Sequence, residues 1–142
     1  MSVEKKMLPE KHGVVFALWD GKHIQLEIRT KEDEFKGMII IPGGKVKKHQ
    51  TLQNTLFDEV KQEYGISVKR YKKLGTYPNI ENNGMLNIRH LYLVTEWEGR
   101  LSNPENKSTH IKATLEEALR ICEHPLTQIF LKVIDKELSR QD

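Results

Sequence analysis

Residues 43–66 read GGKVKKHQTLQNTLFDEVKQEYGI, and this stretch decides the fold. Two glycines open it and predict a tight turn. Apolar side chains then recur at every fourth position, which predicts an amphipathic helix over 51–64 with one apolar stripe. Thr51 suits the N-cap of that helix, and Gly65 suits the left-handed residue that closes it. The stripe consists of Leu52, Leu56, Val60 and Tyr64.

Acidic and amide side chains occupy the flank beside the stripe. At about 100° per residue, these side chains share one side of the helix, so acids one turn apart can converge on a single cation. Mg²⁺ prefers hard oxygen ligands, and a glycine turn lets a backbone carbonyl approach the same ion. A solvent-exposed acidic face is the alternative interpretation. The residues concerned are Asp58, Glu59, Gln62 and Glu63.

The segments before the glycine turn predict strands. Residues 13–19 and 23–29 are apolar or alternate with polar residues, and they predict two strands that pair as a hairpin around an Asp-Gly turn. Residues 30–37 predict a polar loop. Residues 38–41 are too few for a buried helix and predict a short interior strand.

After the helix, the sequence predicts further strands and then two helices. Residues 66–77 predict one or two strands, and residues 85–97 predict another after a polar turn. A short strand near 110–113, a helix over 115–123 and a last helix over 125–138 follow. This order predicts an α/β (α+β) fold in which helices pack on a mixed sheet.

The composition predicts one compact domain over residues 1–142, with 37% hydrophobic and 30% charged residues. No stretch approaches the ~20 apolar residues that cross a bilayer, so no membrane contact is expected. The first residues lack the apolar segment of a secretory signal. The single cysteine, Cys122, predicts a buried thiol and no internal disulfide, and the expected setting is cytoplasmic.

The decisive stretch resembles the Nudix box, G-x5-E-x7-R-E-U-x-E-E-x-G-U, in which U is a bulky aliphatic residue. Three positions depart from the box: Gln50 and Gln62 stand where it has glutamates, and Asp58 stands where it has arginine. The resemblance implies a Nudix-like α/β/α sandwich with a mixed sheet and a catalytic helix after a glycine turn. The matching residues are Gly44, Glu59, Val60, Glu63, Gly65 and Ile66.

The resemblance also implies a site that binds Mg²⁺ or Mn²⁺. The implied catalytic residues are Glu59 and Glu63. The implied metal ligands are Gly43, Glu59, Gln62, Glu63 and Glu105, with Glu98 as the second choice for the last position. The implied substrate contacts are Arg29, Gly44 and Lys45. Phe35, in the loop before the glycine turn, is the aromatic residue expected to stack on a base. For Arg29 and Glu105 a surface role is the alternative.

The departures from the box predict a weakened metal site. Gln62 offers a carbonyl oxygen but no negative charge, so it should hold Mg²⁺ less tightly than glutamate. In the family the arginine pairs with box glutamates, which Asp58 cannot do. Asp58 stands one helical turn before Gln62, so its carboxylate could restore the missing charge.

These residues lead to three hypotheses about function. The first is a metal-dependent hydrolase of a nucleoside diphosphate linked to another moiety, acting as a monomer or homodimer on a nucleotide-type small molecule. The second is a Nudix-fold nucleotide-binding or regulatory module without turnover. The third, nucleic-acid binding through two basic clusters, lacks a recognition motif and is not favoured. Selectivity should depend on the loops 30–37, 76–84 and 102–109.

Overall fold

The computed structural model describes residues 9–140. Residues 1–8, where no secretory signal is expected, lie outside this part of the chain. The elements in chain order are β1 (Glu10–Leu18), β2 (Ile24–Ile28), β3 (Ile39–Ile40), β4 (Gly43–Lys45), α1 (Leu52–Tyr64), β5 (Ser67–Ile80), β6 (Leu86–Glu98), β7 (His110–Ala113), α2 (Leu115–Ile121) and α3 (Pro125–Arg140).

The first sheet is mixed, as predicted. Its strand order is β4-β1-β6-β5, with β1 and β6 parallel and the other two pairs antiparallel. The long β5–β6 hairpin is the largest part of this sheet, and it turns through residues 81–84. The segment 66–77, predicted as one or two strands, is therefore one continuous strand that begins at Ser67 and runs to Ile80.

The predicted hairpin of β1 and β2 is wrong. The two strands belong to different sheets, and the bridge between Trp19 and Ile24 joins them. Both edges of β1 are occupied by β4 and β6, so no edge is left for β2. The carboxylate of Asp20 accepts hydrogen bonds from the N–H groups of Lys22 and His23, and this turn leads the chain out of the first sheet.

The second sheet is antiparallel and has the order β3-β2-β7. The prediction of an interior strand over 38–41 is wrong, because β3 has two residues and lies at the edge of this sheet. The apolar character of the segment comes instead from packing, since Ile40 and Ile41 are buried. Pro42 then separates β3 from β4.

Helix α1 forms as the sequence predicts. The hydroxyl of Thr51 accepts a hydrogen bond from the Asn54 N–H at 3.0 Å, and Gly65 closes the helix with a φ of 71°. The stripe residues Leu56, Val60 and Tyr64 are buried against one face of the first sheet. Full burial of each such apolar side chain contributes about 1.5–3 kcal/mol, so this contact fixes the helix orientation.

The opposite face of the first sheet packs against the second sheet, α2 and α3. Helix α2 begins with a capping box between Thr114 and Glu117, and α3 begins at Pro125. Cys122 is buried, as expected, and burial raises the pKa of its thiol to about 11. With α1 on one face and the other elements on the second, the layers match the predicted sandwich. Within residues 9–140 no helix has the length and apolar character needed to span a membrane.

Candidate active site

The tight turn predicted at Gly43 and Gly44 is wrong, because both residues belong to β4, which pairs with β1. Strand β4 and helix α1 meet at Glu59. A Cβ atom on Gly44 would lie 2.1 Å from Cδ of Glu59, so the absence of a side chain there makes room for the carboxyl group. A Cβ atom on Gly43 would lie 2.3 Å from the carbonyl oxygen of Val14 in β1. The two glycines therefore let β4 lie close to β1 on one side and to an acid of α1 on the other.

Three carboxyl groups form a row beside β4, which we call the acid row: Glu27, Glu63 and Glu59. The carboxyl group of Glu63 lies in the middle and is within hydrogen-bonding distance of both others. Glu59 and Glu63 stand one turn apart on α1, whereas Glu27 comes from β2. Ser108 donates a hydrogen bond from its hydroxyl to Oε2 of Glu27 at 3.1 Å.

Burial and mutual repulsion favour the protonated, neutral form of the carboxyl groups in the acid row. Burial, followed by the charges of Glu27 and Glu59, raises the pKa of Glu63 to about 9. Burial also raises the pKa of Glu59, against the opposing charge of Lys47, and that of Glu27, against the hydrogen bond from Ser108. A proton is therefore held in the row at neutral pH, and a cation that binds there would displace it.

The acid row faces a cavity of about 310 Å³. Gln62 and Glu105 line it together with the acid row. Glu105 comes from the loop after β6 and pairs with Lys107 at 3.3 Å. Glu98, the second choice for the downstream acid, instead pairs with Lys69 and its side chain is 72% exposed. Of the two acids, the structure places Glu105 at this cavity, and its role as a ligand stays a prediction.

Asp58 and Gln50, two of the three departures from the Nudix box, are bonded to each other. The amide Nε2 of Gln50 donates to Oδ2 of Asp58 at 2.8 Å. Asp58 does not line the cavity beside Gln62. The compensation expected from Asp58 is therefore not what the geometry shows, because its carboxylate ties the loop before α1 to the helix.

A second cavity of about 300 Å³ continues from the acid row between the two sheets, and we call it the cleft. Gly43, Gly44, Lys45 and Arg29 line it, as does Glu27. The cleft therefore brings the predicted substrate contacts other than Phe35 together, next to the acids.

The loop 30–37 is anchored beside the cleft. The guanidinium of Arg29 donates to Asp33 with Nε–Oδ1 at 3.1 Å, and this bond lowers the pKa of Asp33 to about 2. Phe35 lines an adjoining pocket and packs edge-on against the ring of His124, with centroids 4.7 Å apart. Both predicted contacts thus have partners within the protein, and a ligand would have to share or displace them.

Sequence reasoning missed Glu27 and Arg89. Side chains alternate along a strand, so Glu27 shares a face with Arg29, and that signal was available once Arg29 was predicted to face the substrate. Arg89, on β6, lines the cleft, and its Nη1 atom is buried without a hydrogen-bond partner among residues 9–140. Its place opposite Gly13 of β1 follows from strand register, which the sequence does not reveal.

The donor set of the acid row fits a hard divalent cation. Within residues 9–140 no three His, Cys, Asp or Glu side chains already converge as a metal cage. However, the available donors are carboxylate oxygens, and Oε2 of Glu63 is buried without a hydrogen-bond partner in this part of the chain. A buried polar atom without a partner is costly, and coordination of a cation would satisfy it.

The affinity for Mg²⁺ is expected to rise with pH. Because the raised pKa of Glu63 means that binding displaces a proton, affinity should increase up to about tenfold per pH unit from about pH 6.5 to about pH 8.5. Calorimetry in buffers of different ionisation enthalpy would measure both the affinity and the released proton. An affinity that stays constant over this range would contradict the expectation.

Comparisons with known proteins show the fold. No protein-family model matches the sequence, and a search of curated proteins found no match. Among solved structures, a MutT Nudix hydrolase from Burkholderia pseudomallei is 23% identical, with a TM-score of 0.76 over 88% of this chain and 98% of that chain. The E. coli ORF135 protein is 21% identical, with a TM-score of 0.78 over 91% of each chain. An ADP compounds hydrolase is 9% identical, with a TM-score of 0.78 over 92% of this chain and 74% of that chain.

The chain therefore has the Nudix fold. This result confirms the resemblance stated from the box, at the level of the fold.

Proposed function

We propose that this chain is a metal-dependent hydrolase that cleaves a nucleoside diphosphate linked to another moiety. The observation that carries the proposal is the meeting of Glu59 and Glu63 beside the Gly43-Gly44 backbone, at the end of a cleft lined by cationic side chains. A diphosphate lying at this junction would contact a metal at the acid row and extend its nucleoside into the cleft.

The residues that would hold Mg²⁺ or Mn²⁺ are those around the junction. Glu59, Glu63 and Glu105 offer carboxylates, Gln62 offers an amide oxygen, and Gly43 offers its carbonyl. When bound, the metal supplies charge neutralisation of the diphosphate and a more acidic water. Gly44 fixes the position of the Glu59 carboxyl by leaving it space.

The chemical step is attack of water on one phosphorus. The new P–O bond forms as the bond to the leaving phosphate oxygen breaks, and the proton of the water passes to the carboxylate of Glu59 or Glu63. A cation bound at the acid row would displace the proton held there, so either carboxylate would be ionised and able to accept the proton of the water. Arg29 and Lys45 would bind phosphate oxygens from the cleft side.

The nucleotide part of the proposal is supported by the cleft and by the structural neighbours. Apolar side chains such as Val15 and Phe130 line the cleft together with the cations. Such a mixture suits a base and sugar attached to an anionic group. A hydrolase of ADP compounds is also among the proteins with this fold.

A nucleotide-binding module without turnover is the second candidate. Gln62 removes one negative charge from the helix, and the acid row holds a proton that a cation would have to displace. This candidate predicts stabilisation by nucleotides without release of phosphate.

The test is a panel of nucleoside diphosphates and triphosphates, dinucleotides and nucleotide sugars with Mg²⁺ or Mn²⁺. Release of phosphate or nucleotide by the wild-type chain, and its loss in Glu63→Gln, would support the hydrolase. Thermal stabilisation by a nucleotide without any release would support the binding module. Neither stabilisation nor release by any member of the panel would contradict both.

Arg89→Gln is expected to weaken nucleotide binding by about tenfold or more, because a hydrogen bond to a charged group contributes about 1.5–3 kcal/mol. The buried, partnerless Nη1 of Arg89 at the cleft is the reason to expect such a bond. The affinity can be measured by calorimetry with the nucleotide that the panel identifies. Arg70→Gln is the matched control, since Arg70 is 71% exposed and pairs with Glu96 outside the cleft. Equal losses in both variants would remove Arg89 from the binding site.

A further inference from the structure

The acid row contains a member that the Nudix box does not include. Glu59 and Glu63 belong to α1, which packs on the first sheet, whereas Glu27 belongs to β2 in the second sheet. The box has no position on β2. The presence of Glu27 between the acids of α1 and the cleft is therefore a feature of this chain that its box residues do not explain.

The position of Glu27 is fixed from several sides. In the register of the second sheet it lies opposite Ile40 on one side and His110 on the other. Its Oε2 accepts the hydroxyl of Ser108, and its carboxyl group faces that of Glu63. The nearest cation along the strand, Arg29, is bonded to Asp33. The carboxyl group of Glu27 thus faces another carboxyl group, although the guanidinium of Arg29 belongs to the same strand two residues away.

Such an arrangement is costly unless a ligand uses it. Glu27 and Glu63 line the same cavity, where two facing carboxyl groups repel each other when both are charged, and a neutral residue of similar shape would pack there at lower cost. Two buried polar atoms without hydrogen-bond partners also lie near the acid row. Among the described residues, Oε2 of Glu63 and the hydroxyl of Tyr64 are both buried without hydrogen bonds, and Tyr64 as a whole is 1% exposed. Its ring stacks on His110, which lines the acid cavity.

We propose that Glu27 is a ligand of the metal site and supplies the carboxylate that is missing at Gln62. The helix of the box offers glutamates at the positions of Glu59, Gln62 and Glu63, so this chain lacks one charge there. Glu27, on the second sheet, brings the number of glutamates at the site back to three. It lines both the acid cavity and the cleft. This inference rests on the proposed metal-dependent function.

The experiment compares Mn²⁺ and Mg²⁺ binding, without substrate, in a set of variants of the full chain. Glu27→Gln keeps the shape and an acceptor for Ser108, and it should weaken binding by at least about tenfold, since loss of even an outer-shell partner costs 10–100-fold. Adding Gln62→Glu to this variant should recover most of that loss. Gln62→Glu in the wild-type chain should give a smaller gain, because the charge is already present. Glu98→Gln is the control, since Glu98 lies away from the cavity.

The outcomes separate this inference from the proposed function. Wild-type affinity in Glu27→Gln, together with weak binding in Glu63→Gln, would overturn the role of Glu27 and leave the metal site standing. Unchanged affinity in both variants would overturn the metal site itself. If Glu27→Gln fails to unfold cooperatively like the wild type, Glu27→Asp provides the second test, because it keeps the charge. Wild-type metal affinity in a folded Glu27→Asp, in which the carboxylate is shorter by one methylene group, would also contradict the inference.

Discussion

Glu63→Gln is expected to lower metal-dependent turnover by about 10²–10⁴-fold while making the metal-free protein more stable. The variant removes a metal ligand and a proton acceptor from the centre of the acid row. The sign of the stability change follows from the raised pKa of Glu63. A group whose pKa is raised by folding contributes its full stabilisation of the native state at pH values below its pKa in the unfolded chain. This contribution is lost as the pH rises through its pKa in the folded protein.

Glutamine has no such loss, so at about pH 8 the metal-free variant should gain roughly 1–3 kcal/mol over the wild type. The gain should shrink towards pH 5, where Glu63 is already neutral in the folded wild-type protein. Denaturant unfolding with and without Mg²⁺ at both pH values would measure it. Glu98→Gln should change neither turnover nor stability. Turnover retained in Glu63→Gln, or a loss of stability at about pH 8, would contradict the assigned place of Glu63.

Gly44→Ala is expected to weaken Mg²⁺ binding by about 10–100-fold, comparable to the loss of a supporting contact in a metal site. The added methyl group would lie 2.1 Å from Cδ of Glu59 and 2.4 Å from its Oε2, so the carboxyl group must move away from β4. We expect an overpacking cost of about 1–3 kcal/mol in addition. Metal titration and thermal unfolding would record the two effects separately.

Gly13→Ala is the matched control for this change. Gly13 is in the neighbouring strand and lines the same cleft, but a Cβ atom there would meet the carbonyl oxygen of Gly44 at 3.4 Å, which is close to ordinary contact. Its metal affinity should stay near that of the wild type. Wild-type Mg²⁺ affinity in Gly44→Ala would show that metal binding does not require the carboxyl group of Glu59 to lie against Gly44.

The local features of the fold could be predicted from the sequence because their causes are local. Helix α1 has its cap, its closing glycine and its apolar stripe within one stretch of chain, and the structure confirms all three. The mixed sheet followed from the order of elements. Pairing between β1 and β2 could not be decided locally, because it depends on β6, which approaches β1 from about 75 residues away along the chain.

The residues of the candidate site also divide into those placed by the nearby sequence and those placed by pairing between distant strands. Helical spacing placed Glu59 and Glu63 on one side of α1, and the resemblance to the Nudix box implied their role. Their meeting with Gly44 follows from the short loop that joins β4 to the helix. Arg89 reaches the site through the pairing of β6 with β1, which no nearby pattern marks. Glu27 shares a strand face with Arg29, but its place at the site depends on the pairing of β2 with β7. Strand alternation shows which residues share one face of a sheet, but it does not show which other elements pack against that face.

The bond between Gln50 and Asp58 constrains how this helix could return to the sequence of the Nudix box. Reversion of Gln50 alone to glutamate would place two carboxylates where a donor and an acceptor now lie 2.8 Å apart. Reversion of Asp58 alone to arginine would leave the guanidinium opposite an amide instead of a carboxylate. The change at Gln50 alone loses the link between loop and helix, the change at Asp58 alone leaves the guanidinium only a neutral acceptor, and the double change restores the link as an ion pair. The two positions are therefore coupled in any evolutionary or engineered path, whereas Gln62, which is not part of this bond, can change independently.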